Sequence, residues 1–430
     1  MPEATDTFHG RGGLRSRSFL GLLVTQFLGE TNNNIFRWLI IPIAKWNVGP
    51  ENEDAALTAG AVCVVLPYVL LAAPAGYAAD RFSKRSVIVG CKLAEFLLML
   101  LGIATILIGN LYLMFAVLLL MGCQAAVFAP SKYGSIPEIV RTDRISAANG
   151  LIGLTTVMAI VTGTVTGSCL YDLTEPDGQY LWFLSAVVLI GVAAIGLMGT
   201  LLIGRLRPAN PARVFPYDAP SQTINDLAVL MANRPLLVAA LGATIFWGLG
   251  ILAQINIDAL VNTDLLAAAG EEAKQKYVGI LLAISALGVG TGSVLAGVLS
   301  RGRIELRIVP VGSAGITFSA VMLFLGPHAD GSAVSPAYVW SGCWLFALGV
   351  SAGMFNVPLQ AFLQERSPRK SRGSILAASN LVICGGMLAA SAMFWLCREP
   401  LDVSPRGIFL GMGLVLVPVF FFAIWRSKKA

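Results

Sequence analysis

The sequence predicts an all-α membrane protein, with twelve transmembrane helices in two six-helix, pseudo-symmetric bundles around a central cavity. Three observations predict it. Of 430 residues 56% are hydrophobic and only 13% charged, with a mean hydropathy of +0.75, against about one-quarter charged residues in a soluble domain. The apolar residues fall into runs of about 20, the length that crosses a bilayer as a helix. A single polar stretch, 205–235, divides these runs into two equal sets.

The first set comprises apolar runs at 18–45, 57–79, 87–108, 111–130, 146–171 and 180–204. The second comprises 236–261, 277–299, 306–326, 336–361, 373–397 and 406–425. The organisation expected is a tail at 1–17, a bundle at 18–204, a linker at 205–235, a bundle at 236–425 and a tail at 426–430. So many spans leave no room for a separate aqueous catalytic domain. Arg11, Arg15 and Arg17 before the first run resemble a signal peptide, but the run is longer than a signal core and carries no A-x-A site, so it reads as a retained span.

Lys and Arg orient the chain. With both termini in the cytoplasm, the cytoplasmic segments carry all but a few of the 30 basic residues. Only Lys45, Lys274, Lys276, Arg398 and Arg406 fall outside, and Arg37 and Lys92 lie within spans. The external loops are acidic, with Glu51, Glu53, Asp54, Asp172, Glu175, Asp177, Glu271 and Glu272. The bias predicts cytoplasmic termini, and the net charge of +6 is then a topology signal that gives no reason to expect nucleic acid as a partner. Trp38, Trp46, Trp182, Trp395 and Trp425 lie near span ends, where indole rings anchor at the interface.

Seven scattered cysteines without a CxxC pair, and two histidines, encode neither a disulfide framework nor a metal site. No cofactor is expected. Nor is an enzyme: no Gly-rich phosphate loop, nucleophile elbow or metal-ligand set is present, and without a Walker loop direct ATP drive is disfavoured.

Two matches suggest a duplication. Ala147-Ala148-Asn149-Gly150-Leu151 opens the fifth run and Ala377-Ala378-Ser379-Asn380-Leu381 the eleventh. Pro130, placed at the close of the fourth run, pairs with Pro358 in the tenth. Parallel halves related by an axis along the membrane normal, with a path between them, is an architecture of secondary transporters.

Gly76-Tyr77-Ala78-Ala79-Asp80-Arg81-Phe82-Ser83-Lys84-Arg85 follows the second run. This resembles the Gly-x-x-x-Asp-Arg-x-x-Lys/Arg-Arg loop of the major facilitator superfamily. Gly76 permits close helix packing, and Asp80 can pair with an arginine or cap a neighbouring helix. The second-half counterpart, from Gly297 to Arg303, keeps the glycine and basic residues but has Arg301 where the acid would stand. Lys132, Glu138 and Arg144 are expected to join Asp80, Arg81 and Arg85 in an inner gate, the alternative being solvated loop charges.

Three further stretches resemble one branch of that superfamily, the bacterial lysophospholipid transporters. Residues 26–37, QFLGETNNNIFR, resemble their Q-F-x-G-A-F-N-D-N-x-F-[RK]. Residues 130–138, PSKYGSIPE, leading to Ala148-Asn149-Gly150-Leu151, resemble P-x-K-Y-x-x-L-P-E with A-N-G-L, and 357–368, VPLQAFLQERSP, resembles V-P-L-x-A-x-L-Q-x-R-S-P. The resemblance covers the whole chain. It implies a carrier in a bacterial inner membrane that flips lysophospholipid, such as lysophosphatidylethanolamine, inward for reacylation, with an acyltransferase as a possible partner. One departure stands out: Asn33 occupies the position of the family Asp, and an acid appears instead at Glu30.

The residues themselves lead to a compatible place. Gln26, Glu30, Asn33, Asn34 and Arg37 recur at spacings of three and four, a polar stripe on an apolar helix. Intramembrane charge is expensive and marks functional sites. Arg37 is expected to bind the lipid phosphate through its donor fork and Glu30 the headgroup amine or a coupling cation; the alternative is a Glu30–Arg37 pair that only fixes the helix. Gln254, Asn256 and Asp258, after Phe246-Trp247-Gly248, are second-tier cavity candidates. Lys92 and Glu95 read as a structural ion pair or as part of a site, and Asn149, Asn356 and Asn380 as interhelical glue or as lining of the path. Two other functions stay open: a proton-coupled exporter of another amphipathic compound or small metabolite, and a non-transporting scaffold for an acyltransferase.

Overall fold

The computed structural model describes residues 12–48, 53–173, 182–266, 270–327 and 335–427. Arg11, Glu51, Glu175, Asp177, Lys428 and Lys429 lie outside them, as do the side chains of Lys45, Trp46, Glu53, Asp54, Trp182, Glu271, Glu272, Trp425 and Arg426. Within hydrocarbon every backbone N–H and C=O must be satisfied internally, which helices achieve. Helix accordingly dominates, and among the described residues the only bridge between extended segments joins Gly12 to Val140.

The first bundle comprises α1 (Arg17–Val48), α2 (Glu53–Leu70), α3 (Ala72–Arg81), α4 (Lys84–Ile108), α5 (Leu111–Ile139), α6 (Ile145–Leu173) and α7 (Trp182–Gly199). Next comes α8 (Ala219–Ala232), in the linker. The second bundle holds α9 (Arg234–Leu260), α10 (Glu271–Leu299), α11 (Ile308–Phe324), α12 (Pro336–Arg366), α13 (Arg372–Arg398) and α14 (Pro405–Ser427). With α2 and α3 taken as one bent element, these helices correspond to the twelve apolar runs, six on either side of the linker.

The bend between α2 and α3 is 60°. Pro67 lies inside α2 and Pro74 in the first turn of α3; Pro74 has no N–H to return to the carbonyl of Leu70, so the ladder breaks at Leu71. Inside other helices, Pro130, Pro137, Pro358 and Pro418 do not end them. The fourth run, expected to close at Pro130, continues as α5 through Pro130 and Pro137 to Ile139, as neighbouring helices can re-satisfy the backbone groups that proline frees. Caps set other ends: Asn110, Asp218, Asn233 and Ser335 accept from backbone N–H groups at the starts of α5, α8, α9 and α12. The linker is also more ordered than its composition suggests, since α8 packs against α3, α9 and α13.

Each bundle has its own apolar core. Phe36, Met99 and Leu189 form one cluster of the first bundle; Phe19, Ile88 and Ile152 form another, which Ala361 of α12 joins; and Leu281, Leu345, Phe355 and Phe409 belong to the second bundle's. The bundles meet chiefly where α6 packs on α10 and α3 on α13. The closest approaches lie at the end carrying the Asp80 loop and most of the arginines, termed here the basic end. There a Cβ on Gly76 would lie 2.8 Å from Ser374 Cα, and one on Gly297 3.0 Å from Ala147 Cα, so only glycine lets these backbones approach so closely.

Candidate functional site

Two groups of polar residues stand out, one inside the first bundle and one sealing the basic end. The inner group centres on Glu30 of α1 and Lys132 of α5, whose Oε1 and Nζ lie 3.4 Å apart. Lys132 is buried, while the Glu30 side chain keeps 31% of its surface exposed. The Lys132 ammonium also lies 4.8 Å from the Tyr133 ring centroid and 5.5 Å from that of Phe128, within cation–π range.

Phe128 serves a second lysine. Lys92 Nζ sits 5.1 Å from the same ring and 2.6 Å from Glu95 Oε2, both side chains being 2% exposed. Gly29 makes room for this ammonium, because a Cβ there would collide with it. Two ion pairs, Glu30–Lys132 and Lys92–Glu95, thus flank one aromatic ring, and each charge has the partner that insertion into an apolar bundle demands. Lys132, expected in the gate, belongs to this inner group because α5 extends past Pro130.

The first-span stripe divides between two directions. Gln26 is fully buried and donates to the Thr156 hydroxyl of α6. Asn34, also buried, donates to the Glu30 carbonyl at 2.7 Å and lies against Gly163 of α6. Asn33 is half-buried, with its Oδ1 inaccessible and unbonded. Arg37 is exposed, two turns beyond Glu30, and has no ion-pair partner among the described residues. Glu30 pairs with Lys132 rather than with Arg37. The seventh-span trio divides likewise: Gln254 and Asp258 are exposed, but Asn256 is fully buried and donates to the Pro405 carbonyl at 2.8 Å. Residues two apart on a helix face different ways, and Asn256 ties α9 to α14.

At the basic end the fully buried Asp80 carboxylate is a hub. It accepts from Gly373 N at 2.7 Å, Ser374 N at 3.1 Å and Ser374 Oγ at 2.9 Å, all in the first turn of α13. An anion here meets the positive end of the helix dipole and its unbonded N–H groups. The fourth partner is Arg213 of the linker, whose Nη1 lies 2.6 Å from Asp80 Oδ2 and whose Nη2 reaches Asp226 at 3.4 Å. Nearby, Asn149 of α6 and Gln364 of α12 exchange hydrogen bonds of 2.8 and 2.7 Å.

Other gate candidates lie apart from the hub. Glu138 pairs with the buried Lys84 at 2.7 Å, joining α4 to α5. Arg144 pairs with Asp143 and is 54% exposed, as a solvated loop charge would be. Arg81 and Arg85 are half-buried, and Arg85 Nε is buried without an acceptor. Sequence reasoning missed Arg213, Lys84 and Gln364. Arg213 and Gln364 stand outside the loop motif, and no spacing links them to Asp80 or Asn149. Among the described residues no group of three metal-ligating side chains gathers.

Comparison with known proteins places this architecture. The family model for the Major Facilitator Superfamily matches residues 24–391. The lysophospholipid transporter LplT of Cronobacter sakazakii is 28% identical across all of both chains, and that of Pectobacterium carotovorum is 30% identical over 89% of this chain and 86% of its own. Among solved structures, the Major Facilitator Superfamily transporter FucP in its outward conformation superposes with a TM-score of 0.72 at 14% identity, covering 95% of this chain and 98% of that one. The human organic anion transporter MFSD10 gives 0.74 at 12% identity, covering 95% and 99%. The chain belongs to the Major Facilitator Superfamily, in the branch of its lysophospholipid transporter relatives.

Proposed function

We propose that this chain moves lysophospholipids such as lysophosphatidylethanolamine across a bacterial inner membrane by alternating access, with the basic end and both termini in the cytoplasm. The relatives, lysophospholipid transporters, support the substrate class. The observation that carries the site is the half-open Glu30–Lys132 ion pair. A zwitterionic headgroup has the two charges needed to exchange with it: the phosphate takes Lys132, and Arg37 through its donor fork, while the ammonium takes Glu30. Because the pair is already formed, substrate entry replaces one set of ionic contacts with another and leaves no bare charge in the bundle. Asp80, Arg213, Asn149 and Gln364 act as the gate on the cytoplasmic side. Inward delivery would supply an acyltransferase with its lysolipid.

The test is uptake of labelled lysophosphatidylethanolamine into spheroplasts of a transport-deficient strain, comparing wild type with Glu30→Gln, Lys132→Met and Arg37→Ala at matched expression. Each charge-assisted hydrogen bond lost from the transport cycle is worth about 1.5–3 kcal/mol, so uptake should fall by roughly ten- to a hundredfold. No uptake by well-folded wild type would overturn the substrate class and favour an exporter of another compound. Lipid repair that survives transport-dead variants would favour the scaffold.

A further inference from the structure

The linker carries a face that neither the inner site nor the gate uses. Its inner side is fastened down: Ala209 N and Asn210 N donate to the Asp80 carbonyl at 3.1 and 2.8 Å, Arg213 holds Asp80 and Asp226, and Gln222 donates to Asp226 at 2.9 Å. Its outer side is apolar. Edge-to-face contacts run from Tyr217 to Phe215 (5.2 Å), from Phe215 to Tyr77 (5.3 Å) and from Tyr77 to Phe82 (5.9 Å), linking the linker to the end of α3. Tyr217 is 89% exposed and Ile224 of α8 65%. Arg205, Arg207 and Arg234, at the two ends of the linker, are also exposed, with no ion pair among the described residues.

We infer that this face docks on the membrane itself, with the aromatic series and α8 at headgroup level and the three arginines on anionic lipid phosphates. The linker leaves α7 and re-enters at α9, both embedded, so its tethers hold it at the bilayer surface. Aromatic rings favour that depth, and an apolar face flanked by basic residues suits an anionic leaflet. The only exposed acid in the linker, Asp218, is occupied in capping α8. Since the same segment supplies Arg213 to Asp80, lipid occupancy bears directly on the gate. Nothing in this inference depends on which substrate the inner site carries.

The test is hydrogen–deuterium exchange of residues 214–232 in the full chain, reconstituted in nanodiscs of phosphatidylcholine alone or with phosphatidylglycerol added. Exchange should be slower with phosphatidylglycerol, and the difference should vanish in about 0.5 M salt. The triple variant Arg205→Gln/Arg207→Gln/Arg234→Gln should lose it, each arginine accounting for about fivefold in occupancy. Its exchange in α5 and α12 serves as the folding control. Equal exchange in both lipids, or protection that the triple variant retains, would overturn the inference. Protection appearing only when soluble cell protein is added would overturn it too, and assign the face to a protein.

Discussion

Asn149 of α6 and Gln364 of α12, 215 residues apart, face each other amide to amide and exchange two hydrogen bonds across the boundary between the bundles. The two amides need each other only while the basic end is closed; opened to the cytoplasm, each bonds to water instead. Asn149→Ala should therefore leave buried Gln364 without its partner, a cost of about 1–3 kcal/mol to the closed form. The check is alkylation of a single cysteine placed at Ala361, fully buried in the closed structure, with the seven native cysteines replaced by serine or alanine: the variant should label several times faster than the parent. An unchanged rate would show that the pair does not hold the closure.

The Asp80 hub makes a stronger claim of the same kind. Asp80→Asn keeps the shape but removes the charge that Arg213 and the α13 N-terminus both stabilise. Stripping one partner from a buried ion pair costs about 3–5 kcal/mol, which would cut net uptake severely by favouring the open basic end. Arg213→Gln should act in the same direction but more weakly, since its side chain is 15% exposed and Asp80 retains three donors from α13. A double variant equal to Asp80→Asn alone would show that both residues act through one contact.

Gly76 and Gly297 stand at equivalent places in the two halves and press on Ser374 and Ala147 of the opposite bundle. Adding a methyl group at either should push the bundles apart at the basic end, because the atoms in the way belong to backbone. Gly76→Ala and Gly297→Ala should thus shift the conformational balance in the same direction, each raising labelling of the cysteine at 361. Opposite effects would refute the symmetry argument.

Much of this was legible in the sequence, and the omissions have physical reasons. The twelve runs and the Asp80 loop are contiguous signals, and the loop's glycine and acid do what their chemistry suggests. Pro130 reads as a helix end in water, which puts Lys132 in a loop, whereas a bundle tolerates proline; once α5 continues, the lysine falls inside and needs Glu30. Arg213 was hidden for a different reason. Its partner lies 133 residues away, and contact across the bundle boundary leaves no periodic trace. In the Gln254, Asn256 and Asp258 grouping, i and i+4 share a helical face but i+2 does not, so Asn256 alone turns inward to Pro405.

The two ion pairs around Phe128 should behave differently when dismantled. Lys92–Glu95 is dry, with both side chains at 2% exposure, so Lys92→Met alone leaves Glu95 charged in an apolar bundle, at about 3–5 kcal/mol of stability. Removing both charges, as Lys92→Met/Glu95→Leu, restores an apolar interior and should recover most of that loss, with uptake returning as well. Glu30–Lys132 is partly open, so the single variants there should destabilise less. The double variant Glu30→Gln/Lys132→Met should then be stable yet inactive. Thermal unfolding in detergent alongside uptake separates the cases: a stable, active double variant at 30 and 132 would make that pair structural too.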